Sequence, residues 1–381
     1  MNYTLNSSPV EREHDEEVEN IKAFTHGLCL YFPPFMIIIG SVCNILVVMV
    51  MRTVQFRYLS TSFYMCSNAA IDIFSLIVLL TVDWLHTNFP WTIFRGEHAH
   101  YMCKFFHFVG ATSSDLGIIL TAVMTLERGL AIMFPLKSSS WCTVKRARHV
   151  TIFLFCFTSV KNANYLFTSD IHTSHESDRL CYVYADTEAL SYFWKSVWPW
   201  IHNTFLVLSF ISIIFSNVII IRHIRKSDKL RSKSVICHRV SSATTVPHKL
   251  MRRSQSRRRQ IAIMLLIDSF TVIICTTPFS VYTTVDSNTT FLDGSEYQKA
   301  VKHLIASFSF YLLYVNRCAN FYLYCLSGSR FRNALKQTLC FCNKEDSLAK
   351  KMQLYSSRFQ ESSEIDTYRH STLKLDNSAY I

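Results

Sequence analysis

The stretch CKFFHFVGATSSDLGIILTAVMTLERGLAIMFPL, residues 103–136, and the shorter NRCANFYLY, residues 316–324, decide the fold. The first is an apolar run whose only charged residues are Lys104, Asp115, Glu127 and Arg128. A helix of roughly 20 such residues crosses a bilayer. The second breaks another apolar run with Asn316, Arg317 and Asn320. Bulk hydrophobicity does not ask for polar groups at these places, and at bilayer depth each needs a partner inside the protein. Both stretches therefore read as membrane helices with polar residues turned inward.

Working outward, the chain of 381 residues is 50% hydrophobic and only 17% charged, too apolar for a soluble protein of this size. Apolar runs lie near 32–51, 60–84, 103–133, 147–168, 193–222, 260–284 and 300–326, which predicts an all-α bundle of seven transmembrane helices. The first 30 residues carry Glu11, Glu13, Asp15, Glu16, Glu17 and Glu19 and no cleavable leader pattern, so the first span is expected to insert itself. Lys and Arg crowd after spans one and three and fill 222–259, where Asp228 is the single acid. Those loops are expected in the cytoplasm and the N-terminus outside, at the plasma membrane. The net charge of +12 then belongs to the inner face, where it meets anionic lipid or an acidic partner, not nucleic acid. Sequons at Asn2, Asn6 and Asn288 all fall on the outer side, as glycosylation requires. Of thirteen cysteines, Cys103 opens span three and Cys181 lies in the next outer loop. Both face an oxidising compartment, and a disulfide between them is expected.

Residues 1–30 read as an unstructured, glycosylated outer tail and 31–328 as the seven-helix domain. The basic segment near 225–255 is expected to be flexible with helical extensions at both ends. Residues 329–342 alternate basic and apolar side chains as an amphipathic helix on the inner surface, with Cys340 and Cys342 placed for palmitoylation. In the polar tail, 343–381, Ser362, Ser363, Thr367, Ser371 and Thr372 are phosphorylation candidates. No nucleotide, metallohydrolase or serine-nucleophile motif is present, so no enzymatic activity, cofactor or metal is expected.

The spacing resembles that of rhodopsin-like (class A) G-protein-coupled receptors. Gly40 and Asn44 resemble the first-helix signature, Ala69 and Asp72 the second, and Trp91 stands in the first outer loop. Arg128 follows Cys103 by 25 residues, and Glu127-Arg128-Gly129 keeps the acid and arginine of the third-helix motif without its tyrosine. Pro135-Leu136 follow, with Leu136 as the knob for a G protein. Cys275-Thr276-Thr277-Pro278 puts Thr276 where tryptophan is usual, and Asn320-Phe321-Tyr322-Leu323-Tyr324 puts Phe321 where proline is usual. Phe331 matches the eighth-helix phenylalanine. A finer resemblance is to invertebrate FMRFamide-like neuropeptide receptors, carried by the seventh helix, by 162–167 and by Tyr192, Trp194, Trp198, Pro199 and Trp200. Ser209 in place of the fifth-helix proline, and a fourth span without tryptophan or proline, mark a divergent member.

The resemblance implies a receptor that binds an outer ligand and activates a heterotrimeric G protein, with arrestin and a receptor kinase at the tail. Glu127 holds Arg128 in an inactive lock, or the two form a permanent interfacial pair. Asp72, Asn316 and Asn320 with Asn44 make the inner polar network, and Gly117 and Arg317 depart from the family's sodium pocket. Arg317 is expected to replace sodium by a bidentate pair with Asp72, against the alternative of Asp115 or water. Asp268 is expected to pair with Arg128 or to meet cytoplasmic water.

Gly110 stands where aminergic receptors hold a carboxylate, and Tyr314 where opsins hold the retinal lysine, which argues against both ligand classes. Asp83, Asp115, Lys161, Trp194, Trp198, His202, His303 and Tyr311, with Gly110, Thr276 and Tyr314, form the expected pocket. Its acids and aromatics, with Glu97, Asp178, Asp186, Glu188, Asp286, Asp293 and Glu296 in the loops, suit a short basic peptide. A chemosensory receptor for a small molecule and a membrane transporter are the rival readings.

Overall fold

The computed structural model describes residues 9–89, 92–94, 96–173, 179–183, 187–237, 246–289 and 291–339. Seven long helices follow in order: α1 (Pro9–Met51), α2 (Ser60–Asn88), α3 (Ala99–Met133), α4 (Val144–Asn162), α5 (Trp198–Cys237), α6 (Val246–Asn288) and α7 (Glu296–Ser327). A shorter α8 (Ser329–Leu339) succeeds them. Segments of α1 to α6 are long and apolar enough to cross a membrane. Asn316, Arg317 and Asn320 dilute α7, and Arg317 and Asn320 are buried, so its polarity is internal. α1 packs on α2 and α7, α6 on α5 and α7, and α3 runs through the middle against α2, α4, α5 and α6.

The helices begin where the local sequence supplies a cap. Ser295 Oγ accepts from the Gln298 amide while Gln298 Oε1 accepts from the Ser295 amide, a reciprocal box that starts α7. Thr143 caps α4. π-turns interrupt the second and fifth helical runs, at Ser75–Leu79 and, just before α5, at Phe193–Val197. The latter ends two residues before Pro199, which has no amide hydrogen to give.

α1 starts far earlier than the sequence suggested. The tail expected to be unstructured through residue 30 is helical from Pro9. Val18, Thr25, Cys29 and Met36 recur at helical spacing and are all buried, while the acids around them are exposed. Lys22 lies 3.6 Å from Glu296 at the start of α7.

Pro33 and Pro34 sit inside this helix. Lacking N–H groups, they free the carbonyls of Cys29 and Leu30, four residues back. Asn88 Nδ2 donates to Cys29 O at 3.2 Å and Trp84 Nε1 to Leu30 O at 2.9 Å. The end of α2 thus supplies the donors that α1 lacks. Lower down, a Cβ on Gly40 would collide with Cys318 Sγ and come within 2.8 Å of Leu76 Cδ1, so the close approach of α1, α2 and α7 needs glycine there.

Between α4 and α5 the chain forms an antiparallel hairpin, β1 (Ser169–Thr173) and β2 (Arg179–Val183), with Ile171 opposite Cys181. The sequence reading did not foresee it. Cys181 is joined to Cys103 as expected, which ties the hairpin to the top of α3. Phe94, in the left-handed region at φ 58°, is buried with Ala99 and Cys103 and meets His86 and Phe106 edge-on. On the other face α5 extends to Cys237 and α6 begins at Val246, leaving the middle of the basic segment outside the described residues. Trp91, Asn2, Asn6, Cys340, Cys342 and the tail from 343 also lie outside them, and the Asn288 sequon runs past them at Thr290.

Candidate functional site

Three groups of polar residues lie within the bundle, and the first joins α1, α2 and α7. Arg317 Nη1 donates to Asp72 Oδ1 at 3.0 Å, and Asn320 Nδ2 donates to Asp72 Oδ2 at 3.1 Å. The contact is therefore a single hydrogen bond completed by Asn320, where the sequence had suggested a bidentate fork. Nη1 alone of the guanidinium reaches the carboxylate, and Asn320 completes the second oxygen. Asn44 Nδ2 bridges Gly40 O at 2.9 Å and Arg317 O at 3.0 Å, binding α1 to the same point. Asn316 has a buried Oδ1 with no hydrogen bond, and Gly117 faces Asn68 Oδ1. Since Asp72 and Arg317 are both almost fully buried, each neutralises a charge the other could not carry alone.

The second group lies at the end of the bundle where α2 begins and α3 ends. Glu127 accepts from Ser60, and Arg128 donates to Thr61, so the pair is held against the first turn of α2. Leu136, in the short helix Pro135–Trp141, is 93% exposed. Tyr324 is buried edge-on against Phe331, which ties the end of α7 to the start of α8. Asp268 corrects the sequence reading. Its carboxylate is 1% exposed and neither oxygen has a hydrogen bond, so it neither pairs with Arg128 nor reaches water. Pro278, ten residues on, remains within a continuous α6, and Thr276 beside it is buried.

The third group lies where α3, the end of α4 and the start of α5 meet. Lys161 Nζ is 2.9 Å from Asp115 Oδ2, their side chains only 6% and 2% exposed, and Asn162 Nδ2 donates to the same oxygen at 2.7 Å. Lys161 also approaches His202 Nδ1 at 3.3 Å and lies over the rings of Trp198 and Phe205 at 4.5 and 5.0 Å. An ammonium can only donate, so His202 accepts through Nδ1 and carries its proton on Nε2. Tyr165 meets Trp194 and Trp198 edge-on, Trp194 and Trp198 stack at 5.8 Å, and His107 continues the row toward Cys181. Asn162, Tyr165 and His107 were missed by the sequence reading. No spacing in the sequence announces them, because α4 ends at Asn162 and Tyr165 opens a separate short turn.

These contacts change the expected vestibule. Asp115 is already neutralised by Lys161, which rules out Arg317 as its partner and leaves little for a ligand cation. Lys302 takes Asp286 at 2.5 Å and Asp293 at 2.7 Å, and Glu296 pairs with Lys299. Asp170 on β1 faces His100 and Lys104; burial pushes its carboxyl up, but the His100 and Ile171 hydrogen bonds and the two nearby cations hold it below its ordinary value. Glu97 and Glu188 are exposed, and Asp178 and Asp186 lie outside the described residues. Asp83 differs: it lies within electrostatic reach of Tyr311 and Tyr314, and among the described residues it forms no ion pair. Tyr311 packs edge-on against Phe32. Gly110 has open space at its missing Cβ, and His303 is exposed and joins neither outer group.

Comparison with known proteins gives a concordant result. The family described as 7 transmembrane receptor (rhodopsin family) matches residues 43–324. The thyrotropin-releasing hormone receptor of Bos taurus is 23% identical over 356 residues, covering 88% of this chain and 86% of its own. The FMRFamide receptor of Drosophila melanogaster is 22% identical over 305 residues, covering 77% of this chain and 50% of its own. Neuromedin-U receptor 1 of Rattus norvegicus is 22% identical over 308 residues, covering 79% and 71%. The family match spans all three polar groups, and the chain belongs to the rhodopsin family of seven-transmembrane receptors.

Proposed function

We propose that this receptor binds a short basic peptide from outside and activates a heterotrimeric G protein inside. Two observations carry the peptide: the aromatic cluster of Tyr165, Trp194 and Trp198, and Asp83, which lies near Tyr311 and Tyr314 and forms no ion pair among the described residues. A peptide cation pairs with Asp83 and an aromatic residue stacks on the tryptophans. The matched relatives whose names refer to thyrotropin-releasing hormone, FMRFamide and neuromedin U support a peptide as the ligand class. Arg317 takes the place of sodium at Asp72, and Arg128 with Leu136 meets the G protein. The N-terminus lies outside, the sequons are glycosylated, Cys340 and Cys342 are acylated, and the phosphorylated tail recruits arrestin.

The test is a peptide library applied to cells that express the receptor with a promiscuous G protein. A hit lost in Arg128→Ala and weakened in Asp83→Asn, both at normal surface levels, is the expected result. Silence of the wild type at normal surface level would count against a peptide ligand.

A further inference from the structure

Asp268 has no part in the contacts described so far, and among the described residues it has no counter-ion. Its neighbours along α6, Leu265 and Val272, are buried apolar residues. Ser269 Oγ hydrogen-bonds to Leu265 O and to Thr125 Oγ1 at 3.2 Å, fixing the register of α6 on α3. Among the described residues the Asp72 carboxylate on α2 acts on Asp268, and Asp268 in turn acts on the phenol of Tyr324 on α7. Arg317, on α7 behind Asp72, is already engaged by that carboxylate. Arg128 on α3 donates to Thr61. The basic residues at the inner end of α5, Arg222, His223, Arg225 and Lys226, are exposed. Of the two buried carboxylates, Asp72 alone holds the guanidinium, and Asp268 has no hydrogen bond among the described residues.

A lone carboxylate in an apolar interior, beside another negative charge, is not sustained by a fold of marginal stability. We propose that Asp268 is a proton-binding site: it is a neutral carboxylic acid while α6 is closed against α3 and α7, and it loses its proton when the cytoplasmic half of α6 swings into water. On opening, the O–H bond breaks, the electron pair stays on the carboxylate and the proton passes to cytoplasmic water. Pro278 supplies the hinge, since it removes one rung of the α6 ladder above Asp268. The closed form binds one proton more than the open form, so a rise in cytoplasmic pH favours opening, by up to about tenfold per pH unit within the titration range. That this opening is the signalling motion rests on the receptor reading above; the protonation itself does not.

The experiment uses purified full-length receptor in lipid nanodiscs. Infrared difference spectra follow the carbonyl stretch of protonated carboxylic acids, and an environment-sensitive fluorescent amino acid in place of Arg258 follows the inner end of α6. The expected result is an acid carbonyl band at neutral pH that fades on alkalinisation, together with a fluorescence change over the same pH range. Asp268→Asn, which mimics the neutral acid, lacks that band and the fluorescence change. A band unaltered in Asp268→Asn, or an Asp268→Asn receptor whose α6 opens over the same pH range as wild type, would overturn the proposal.

Discussion

Arg317 shows how one side chain reorganises a membrane core. Its guanidinium and the Asp72 carboxylate are acceptable at bilayer depth only together, and the remaining carboxylate oxygen is closed by Asn320. Arg317→Met leaves Asp72 buried and unpaired, and the expected loss is about 3–5 kcal/mol, seen as reduced surface expression and a lowered melting temperature. Asp72→Asn with Arg317→Met removes both charges and is expected to recover most of that loss; a double variant no more stable than Arg317→Met would show that the pair is not what holds this point. The wild type is also expected to melt at the same temperature when sodium is exchanged for a bulky organic cation, because the guanidinium fills the role of the ion. Asp170, about a third exposed on β1, makes a smaller contribution of the opposite accessibility. Its carboxyl is held below its ordinary value, so the contribution is present above the unfolded value of about 4. It is lost as pH falls through the folded value. Heat stability that declines more steeply below about pH 4 in wild type than in Asp170→Asn is the expected outcome.

Among the elements, α1 and α2 depend on each other through the carbonyls that Pro33 and Pro34 free. Trp84→Phe retains an aromatic ring beside Phe89 but removes the indole donor to Leu30 O, and a cost of about 1–3 kcal/mol is expected from the unsatisfied carbonyl. Restoring an N–H by Pro34→Ala in the same chain is expected to reduce that cost, which a thermal double-variant cycle measures. None of this coupling was legible in the sequence, because a proline pair in an apolar run does not name the donor that compensates it. The seven spans were legible, since runs of apolar residues longer than a bilayer leave few alternatives. The start of α1 at Pro9 was not, because its buried stripe is one residue wide and lies within a run of acids. Of the sites, Asp72 with Arg317 and Cys103 with Cys181 could be read from the chain. The neutralisation of Asp115 by Lys161 could not, since it depends on how two separate helices are rotated toward each other.

At the scale of the whole bundle, the end at which α3 begins carries a hairpin that spacing alone hardly announces. Two five-residue strands have weak patterning, yet β2 carries the cysteine that anchors the hairpin to α3. Below that anchor the row His107, Tyr165, Trp194, Trp198 and His202 leads from the disulfide to the buried Asp115–Lys161 pair. The cap and the aromatic wall therefore meet at His107, and loosening the first is expected to loosen the second. In the double variant Cys103→Ser, Cys181→Ser the chain loses a crosslink that closes 78 residues of sequence, for which about 2–4 kcal/mol is typical. Among the described residues the Asp72–Arg317 contact shares no partner with that crosslink. The expected outcome in purified receptor is a lower melting temperature and a red-shifted tryptophan emission as Trp194 and Trp198 gain water. Asp72→Asn is then expected to destabilise the crosslinked and uncrosslinked receptors by the same amount. Unchanged emission with a lowered melting temperature would mean that α4 and α5 hold the aromatic wall without the hairpin, and that the cap guards only the entrance.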